Sequence, residues 1–269
     1  MIARCDGAEL HVEVRGAGEA LLLVHGFPHD AALWRPQLDG LADVARVVAP
    51  DLRGLGRSGG AAPAGGASVD RYADDLACVL DALGVERAVV GGLSMGGYVA
   101  LAFWRRHRRR VRALVLADTK AGADSDEARD KRQEMIALAE ARGAGAVAER
   151  MIEGMVGKGT RARAPELVAE VRSMLARQPV PGIVDALRAM MARPDSTSDL
   201  ATIDVPTLVV VGDEDALTPP AEARRLHEGI RGSRLEIVAG AGHVSNLERP
   251  AAVNHLLRDF LASLDGASR

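Results

Sequence analysis

A chain of 269 residues with 48% hydrophobic content can form one large α/β domain or two smaller ones around a sizeable core. Its formal net charge of −3 gives no support to nucleic-acid binding and little to anionic membranes. The longest apolar runs, such as residues 21–24 and 208–211, are too short to span a bilayer, and no apolar h-region follows Arg4 to make a secretory signal.

The two cysteines, Cys5 and Cys78, lack metal-type spacing and read as reduced structural thiols, so a soluble cytoplasmic protein is expected. Residues 2–5 and 10–15 read as short strands joined by Asp6-Gly7, with antiparallel pairing expected. Residues 20–24 and 46–50 are apolar throughout or nearly so and predict buried strands, with helical spacing over 31–41 between them. An Ala/Gly-rich loop over 59–67 leads to a helical pattern at 69–83, a strand at 88–91, a helix at 95–107 and a strand at 111–117. Strands separated by helices of this length imply parallel crossovers and a doubly wound sheet. The run Arg105-Arg106-His107-Arg108-Arg109-Arg110 closes a helix, where cations complement the dipole on a solvated edge.

After Thr119 strand-like runs vanish until 207–211 and 234–238, which are followed by helical patterns at 220–230 and 249–264. Met135, Met151, Met155, Met174, Met190 and Met191, six of the eight methionines, fall between. No Phe, Trp or Tyr occurs from Arg105 through Asp259. The expected organisation is a core of residues 1–119 and 196–269 interrupted by a helical insertion over 120–195.

The stretch Gly92-Leu93-Ser94-Met95-Gly96 joins a predicted buried strand to a predicted helix with almost no linker. Gly-x-Ser-x-Gly is weak evidence alone, because small residues cluster in turns for many reasons. In this context it predicts a nucleophile elbow: the turn strains the serine backbone, and a Cβ two residues to either side would clash with the crossing. A serine hydroxyl needs a base. Of seven histidines, His25, His29 and His243 fall on loops at the carboxyl edge of the predicted sheet. His243 follows a flexible Ala-Gly-Ala-Gly turn and is the expected base; His25 is expected to hold its loop and His29 to line the entrance. The carboxylate that orients the base is expected to be Asp215, with Asp213 and Asp118 as alternatives. The backbone N–H groups of Phe27 and Met95 are the expected oxyanion donors. Trp34, Leu217 and Val244 are candidates for substrate contact.

The segments LLLVHGFPHD, VVAPDLRGLGRSG, GLSMGG, VVVGDEDALTPP and GAGHVSNLERP occur in an order and spacing that resemble the α/β-hydrolase superfamily. Within it the chain most resembles the branch of 3-oxoadipate enol-lactonase-like proteins and small serine esterases. The resemblance implies a mostly parallel eight-stranded sheet flanked by helices, an inserted helical cap over 120–195, and the order Ser94, Asp215, His243 for nucleophile, acid and histidine. It also implies a structural role for Asp51. The expected activity is cleavage of a small-molecule carboxylic ester or lactone through an acyl-enzyme, with no metal or organic cofactor. Alternatives on the same triad are a cofactor-free perhydrolase, a carbon–carbon bond hydrolase or an acyltransferase; a slow ligand sensor belongs to another class. Oligomeric state is not legible.

Overall fold

The computed structural model describes residues 1–59 and 66–266, so most of the loop expected over 59–67 lies outside the described residues. Strands β1 (Ile2–Cys5), β2 (Ala8–Arg15), β3 (Ala20–Val24), β4 (Arg46–Pro50), β5 (Ala88–Leu93), β6 (Val111–Ala117), β7 (Thr207–Gly212) and β8 (Arg234–Val238) form one sheet in the order β1-β2-β4-β3-β5-β6-β7-β8. β1 and β2 pair antiparallel, β2 runs antiparallel to β4, and every later pairing is parallel. The chain therefore adopts the α/β-hydrolase fold with a mostly parallel eight-stranded sheet. Burial follows position in the sheet. All residues of β3, β5 and β7 are buried because helices cover both faces, whereas the edge strand β1 alternates exposed and buried.

Helices α1 (Arg35–Gly40), α2 (Val69–Ala82), α3 (Met95–His107), α8 (Pro220–Gly229), α9 (Ser245–Glu248) and α10 (Pro250–Gly266) connect or flank these strands. Four more, α4 (Asp126–Met155), α5 (Lys158–Arg163), α6 (Pro165–Ala176) and α7 (Val180–Ala192), fill the chain between β6 and β7. The single helix predicted over 31–41 is instead a 3-10 turn, Ala31–Trp34, followed by α1. Pro36 explains the break: without an N–H it fits only the first turn of a helix. In α4, Gly143 has φ +76 and separates two helical runs; a Cβ there would meet nothing within 4 Å, so backbone conformation alone demands glycine.

The α4–α7 segment is fastened to the sheet. Arg177 grips Asp30 with two hydrogen bonds of 2.8 and 2.7 Å, and Gln178 links the Asp30 carboxylate (2.9 Å) to the Gly56 N–H (2.8 Å). Gly182 lies so close to the Gly54 carbonyl that a Cβ would sit 1.8 Å from it. β4 lies on one side of β3 and β5 on the other, so the connections diverge at β3 and open a crevice above the carboxyl ends, where ligands bind in such sheets.

Two sequence expectations meet a different outcome here. Cys5 and Cys78 are not separate thiols: β1 packs on α2, brings their Cα atoms to 5.8 Å and joins them in a disulfide that spans 73 residues. The arginine run is also mostly paired rather than simply solvated. Arg105 bonds Asp70 and Asp199, Arg106 bonds Asp74, and Arg110 bonds the Val85 and Glu86 carbonyls. No helix of the described residues is long and apolar enough to cross a membrane.

Candidate active site

β5 runs straight into α3, and Ser94 stands at the junction with φ +55 and ψ −115. A side-chain-bearing residue in such a region costs on the order of 1–3 kcal/mol and persists only where its surroundings enforce it. The enforcement is visible in the flanking glycines. A Cβ on Gly92 would lie 2.0 Å from the Gly96 carbonyl oxygen, and one on Gly96 would lie 2.1 Å from that of Val24. The neighbouring β6 exit adds a further tie, because the Thr119 hydroxyl donates to the Ser94 carbonyl at 2.7 Å.

Asp215 and His243 meet above the ends of β7 and β8. His243 Nδ1 lies 2.9 Å from Asp215 Oδ2, and both residues are buried. Asp215 Oδ1 accepts the backbone N–H groups of Leu217 (2.9 Å) and Thr218 (3.0 Å). The Thr218 hydroxyl lies 2.8 Å from Asp215 Oδ2 and 3.2 Å from His243 Nδ1. Burial alone would raise the Asp215 carboxyl, but the His243 charge and these hydrogen bonds outweigh it and hold the group below its ordinary value. Burial would conversely lower His243, yet the Asp215 carboxylate outweighs that and raises the imidazole above 6.5. Thr218 escaped the sequence reading, although its place three residues after Asp215 is that of a turn residue that bonds a carboxylate. Ser94 and His243 line the same cavity, and no hydrogen bond between them occurs among the described residues.

The two alternative acids point elsewhere. Asp213 is exposed and accepts the Gly240 N–H at 2.7 Å. Asp118 is fully buried, but its oxygens are taken by the Gly212 N–H (2.9 Å) and the Ser245 hydroxyl (2.5 Å). Burial and then the charge of Asp215 push its carboxyl well above the ordinary range. The His243 loop is itself anchored. Gly242 donates to Glu248 Oε1 at 2.8 Å, while Glu248 Oε2 accepts the Gly157 N–H at 2.9 Å from the end of α4.

On the other side of Ser94 lies the loop after β3. Phe27 lines the cavity and precedes Pro28 through a cis peptide bond, and Met95 is the first residue of α3, where helix N–H groups lack intrahelical partners. His25 holds this loop: its Nδ1 bonds the Gly26 carbonyl at 2.8 Å and its Nε2 accepts the Leu52 N–H at 3.0 Å. Asp51 accepts the N–H groups of Ala31 (2.6 Å) and Arg57 (2.8 Å), a scaffold role. His29 does not line the entrance as expected. It is buried with neither ring nitrogen hydrogen-bonded, and burial lowers it to about 3, so it stays neutral.

The cavity measures about 630 Å³ and contains Ser94 and His243 in its wall. Met135, Met151, Met155 and Met190 contribute from the α4–α7 segment, which gives polarizable, adaptable apolar contact. Of the three residues expected to touch substrate, Leu217 lines the cavity and is half exposed. Trp34 and Val244 do not. Trp34 is buried in a core cluster with Leu38 and Leu41, and Val244 is fully buried with its N–H on the Met155 carbonyl at 3.1 Å. Tyr98, unremarked in the sequence, sits one helical turn after Ser94 and lines the cavity.

Residues 19–250 match the family described as alpha/beta hydrolase fold. A putative carbamate hydrolase RutD from Variovorax paradoxus is 35% identical over 94% of this chain and 96% of its own length. A thermophilic esterase from Thermogutta terrifontis, solved with malate bound, superposes with a TM-score of 0.92 at 40% identity, over 96% of this chain and 94% of that one. The enol-lactonase from Burkholderia xenovorans LB400 superposes with a TM-score of 0.87 at 29% identity, over 97% and 100% of the two chains.

Proposed function

The chain belongs to the alpha/beta hydrolase fold family, and on that premise we propose that it is a serine hydrolase that cleaves carboxylic esters or lactones of small molecules through an acyl-enzyme. The observation that carries this reading is the buried 2.9 Å contact of His243 with Asp215 at the wall of the cavity that also exposes the strained Ser94. In this reading Ser94 is the nucleophile. His243 is the base that removes its proton through Nε2, because Nδ1 is committed to Asp215. Asp215 fixes the tautomer and stabilises the imidazolium, and Thr218 positions Asp215.

The Ser94 oxygen bonds to the acyl carbon, and the carbonyl electrons pass to its oxygen as a tetrahedral oxyanion. The backbone N–H groups of Phe27 and Met95 receive that charge, with the N-terminus of α3 adding its dipole. Collapse expels the alcohol, which takes the proton from His243. Water, deprotonated by His243, then attacks the acyl-enzyme, and the second collapse returns Ser94 and releases the acid. The α4–α7 segment, within residues 120–195, serves as a cap that supplies the methionine wall.

The similarity to a putative carbamate hydrolase favours a second reading, in which the same attack opens a carbamate carbonyl. The test is a panel of short aryl esters, lactones and carbamates turned over by wild type and Ser94→Ala. Ester or lactone turnover abolished in Ser94→Ala supports the proposal. Wild-type turnover no faster than that of the variant across the panel would overturn it, and turnover of carbamates alone would favour the second reading.

A further inference from the structure

Lys120 follows Thr119, the residue that bonds the Ser94 carbonyl, and lines the cavity beside Tyr98. It is half-buried, and among the described residues it makes no ion pair or side-chain hydrogen bond. Its surroundings make that notable. Arg132 and Arg193 both bind Asp124, a buried carboxylate whose charge acts on Lys120, at 2.5 and 2.8 Å. Arg193 is also stacked 4.1 Å over the Tyr98 ring. Glu222, the other acid that acts on Lys120, is held by Arg225 at 2.6 Å. Around the wall of the cavity stand Lys120, Lys131, Arg132 and Arg150 against only Asp124 and Glu134, and Arg150 already pairs with Glu134.

A half-buried ammonium whose neighbouring acids are already held by arginines is poorly compensated, and burial followed by repulsion from Arg193 pulls Lys120 below its ordinary value. An anion in the cavity would relieve both effects. The phenol of Tyr98, which burial keeps protonated, lies along the same wall and can donate a hydrogen bond to it. The remaining wall is methionine and leucine, suited to a methylene chain.

We propose that Lys120 is an anion-recognition residue, and that the preferred substrates carry a carboxylate at the end of a short acyl chain, as monoesters of short dicarboxylic acids do. This rests on the ester or lactone reading of the same cavity and specifies its substrate class. A charge-assisted contact in a partly desolvated pocket corresponds to about tenfold or more in affinity.

The decisive comparison is monomethyl glutarate against methyl pentanoate, matched in chain length and followed by methanol release, with wild type, Lys120→Met and Lys120→Arg. The expected result is a wild-type preference for the anionic ester in kcat/KM, expressed mainly in KM. Lys120→Met reduces the ratio about tenfold or more, Lys120→Arg restores part of it, and added salt weakens it in wild type. A ratio within twofold of wild type in Lys120→Met overturns the proposal. If neither ester is turned over faster than by Ser94→Ala, the ester reading fails and the subsite is read separately by calorimetry with glutarate. Binding to wild type that is lost in Lys120→Met sustains the anion site, and no binding overturns it.

Discussion

Replacing Asp215 by Asn tests the proposed chemistry at its most constrained point. Asp215 Oδ1 accepts two backbone N–H groups, from Leu217 at 2.9 Å and Thr218 at 3.0 Å, which only an oxygen can do. The amide oxygen of Asn must therefore take that place, and its NH₂ falls where Oδ2 faced His243 Nδ1. Nδ1 then has to accept, the imidazole proton moves to Nε2, and the nitrogen needed as base for Ser94 is blocked. Flipping the amide to recover the tautomer leaves two buried N–H groups facing a donor, at about 2–3 kcal/mol. Loss of the carboxylate from the developing imidazolium adds about 2–3 kcal/mol. Together these predict a fall of about 10³–10⁴ in kcat/KM on a short ester. The pH profile gives an independent sign. His243 works as a base only when neutral, and Asp215 raises it above 6.5, so wild-type activity falls as pH drops through that raised value. In Asp215→Asn burial still lowers the imidazole but its main opposing charge is gone, so the acid limb of the residual activity moves to lower pH. A loss below tenfold, an equal loss in Asp213→Asn, or an acid limb that stays in place would refute the assignment.

Gly96→Ala places a Cβ 2.1 Å from the Val24 carbonyl oxygen, backbone that cannot swing aside, so urea denaturation is expected to show at least about 1–3 kcal/mol of destabilisation. Gly145→Ala, where a Cβ meets nothing within 4 Å, is the control and is expected to be neutral or to stabilise by about 0.5–1 kcal/mol. Reductant, or Cys78→Ser, opens a cross-link spanning 73 residues and is expected to lower stability by about 2–4 kcal/mol in the same assay; an unchanged midpoint would refute a stabilising bond.

What could be read from the sequence is what is local. The elbow is legible because Gly92, Ser94 and Gly96 lie within five residues of a strand and a helix, and the strands of the centre are legible because burial on both faces leaves unbroken apolar runs. Long-range pairing was not legible. Asp215 stands out from Asp213 and Glu214 in the sequence only by its place further into the loop, whereas the partners of the three, Gly240 for Asp213, Gly159 for Glu214 and His243 for Asp215, are set by distant residues. Trp34 and Val244 adjoin loops that bear site residues, but their side chains fall on the core side, a choice set by packing with distant residues. The cystine is hidden for the same reason, since only the packing of β1 against α2 brings its halves together. Lys120 could have been noticed as the cation nearest the exit of β6, but its significance lies in which of its neighbours already have partners.

Glu248 gives the junction between the proposed cap and the His243 loop a practical meaning. One carboxylate receives Gly157 from the end of α4 and Gly242 from the turn that presents His243, while the Val244 N–H reaches back to the Met155 carbonyl. Specificity in such enzymes is an obvious target for exchanging one cap for another, and a graft cut between residues 120 and 195 that disturbs residues 155–157 would strip a buried acid of half its donors. The imidazole would then drift with its turn, and an exchange intended to alter substrate choice would also lower the rate on every substrate. A transplant that keeps Met155-Val156-Gly157 and replaces the wall upstream of it leaves the His243 imidazole, the proposed base, where it stands.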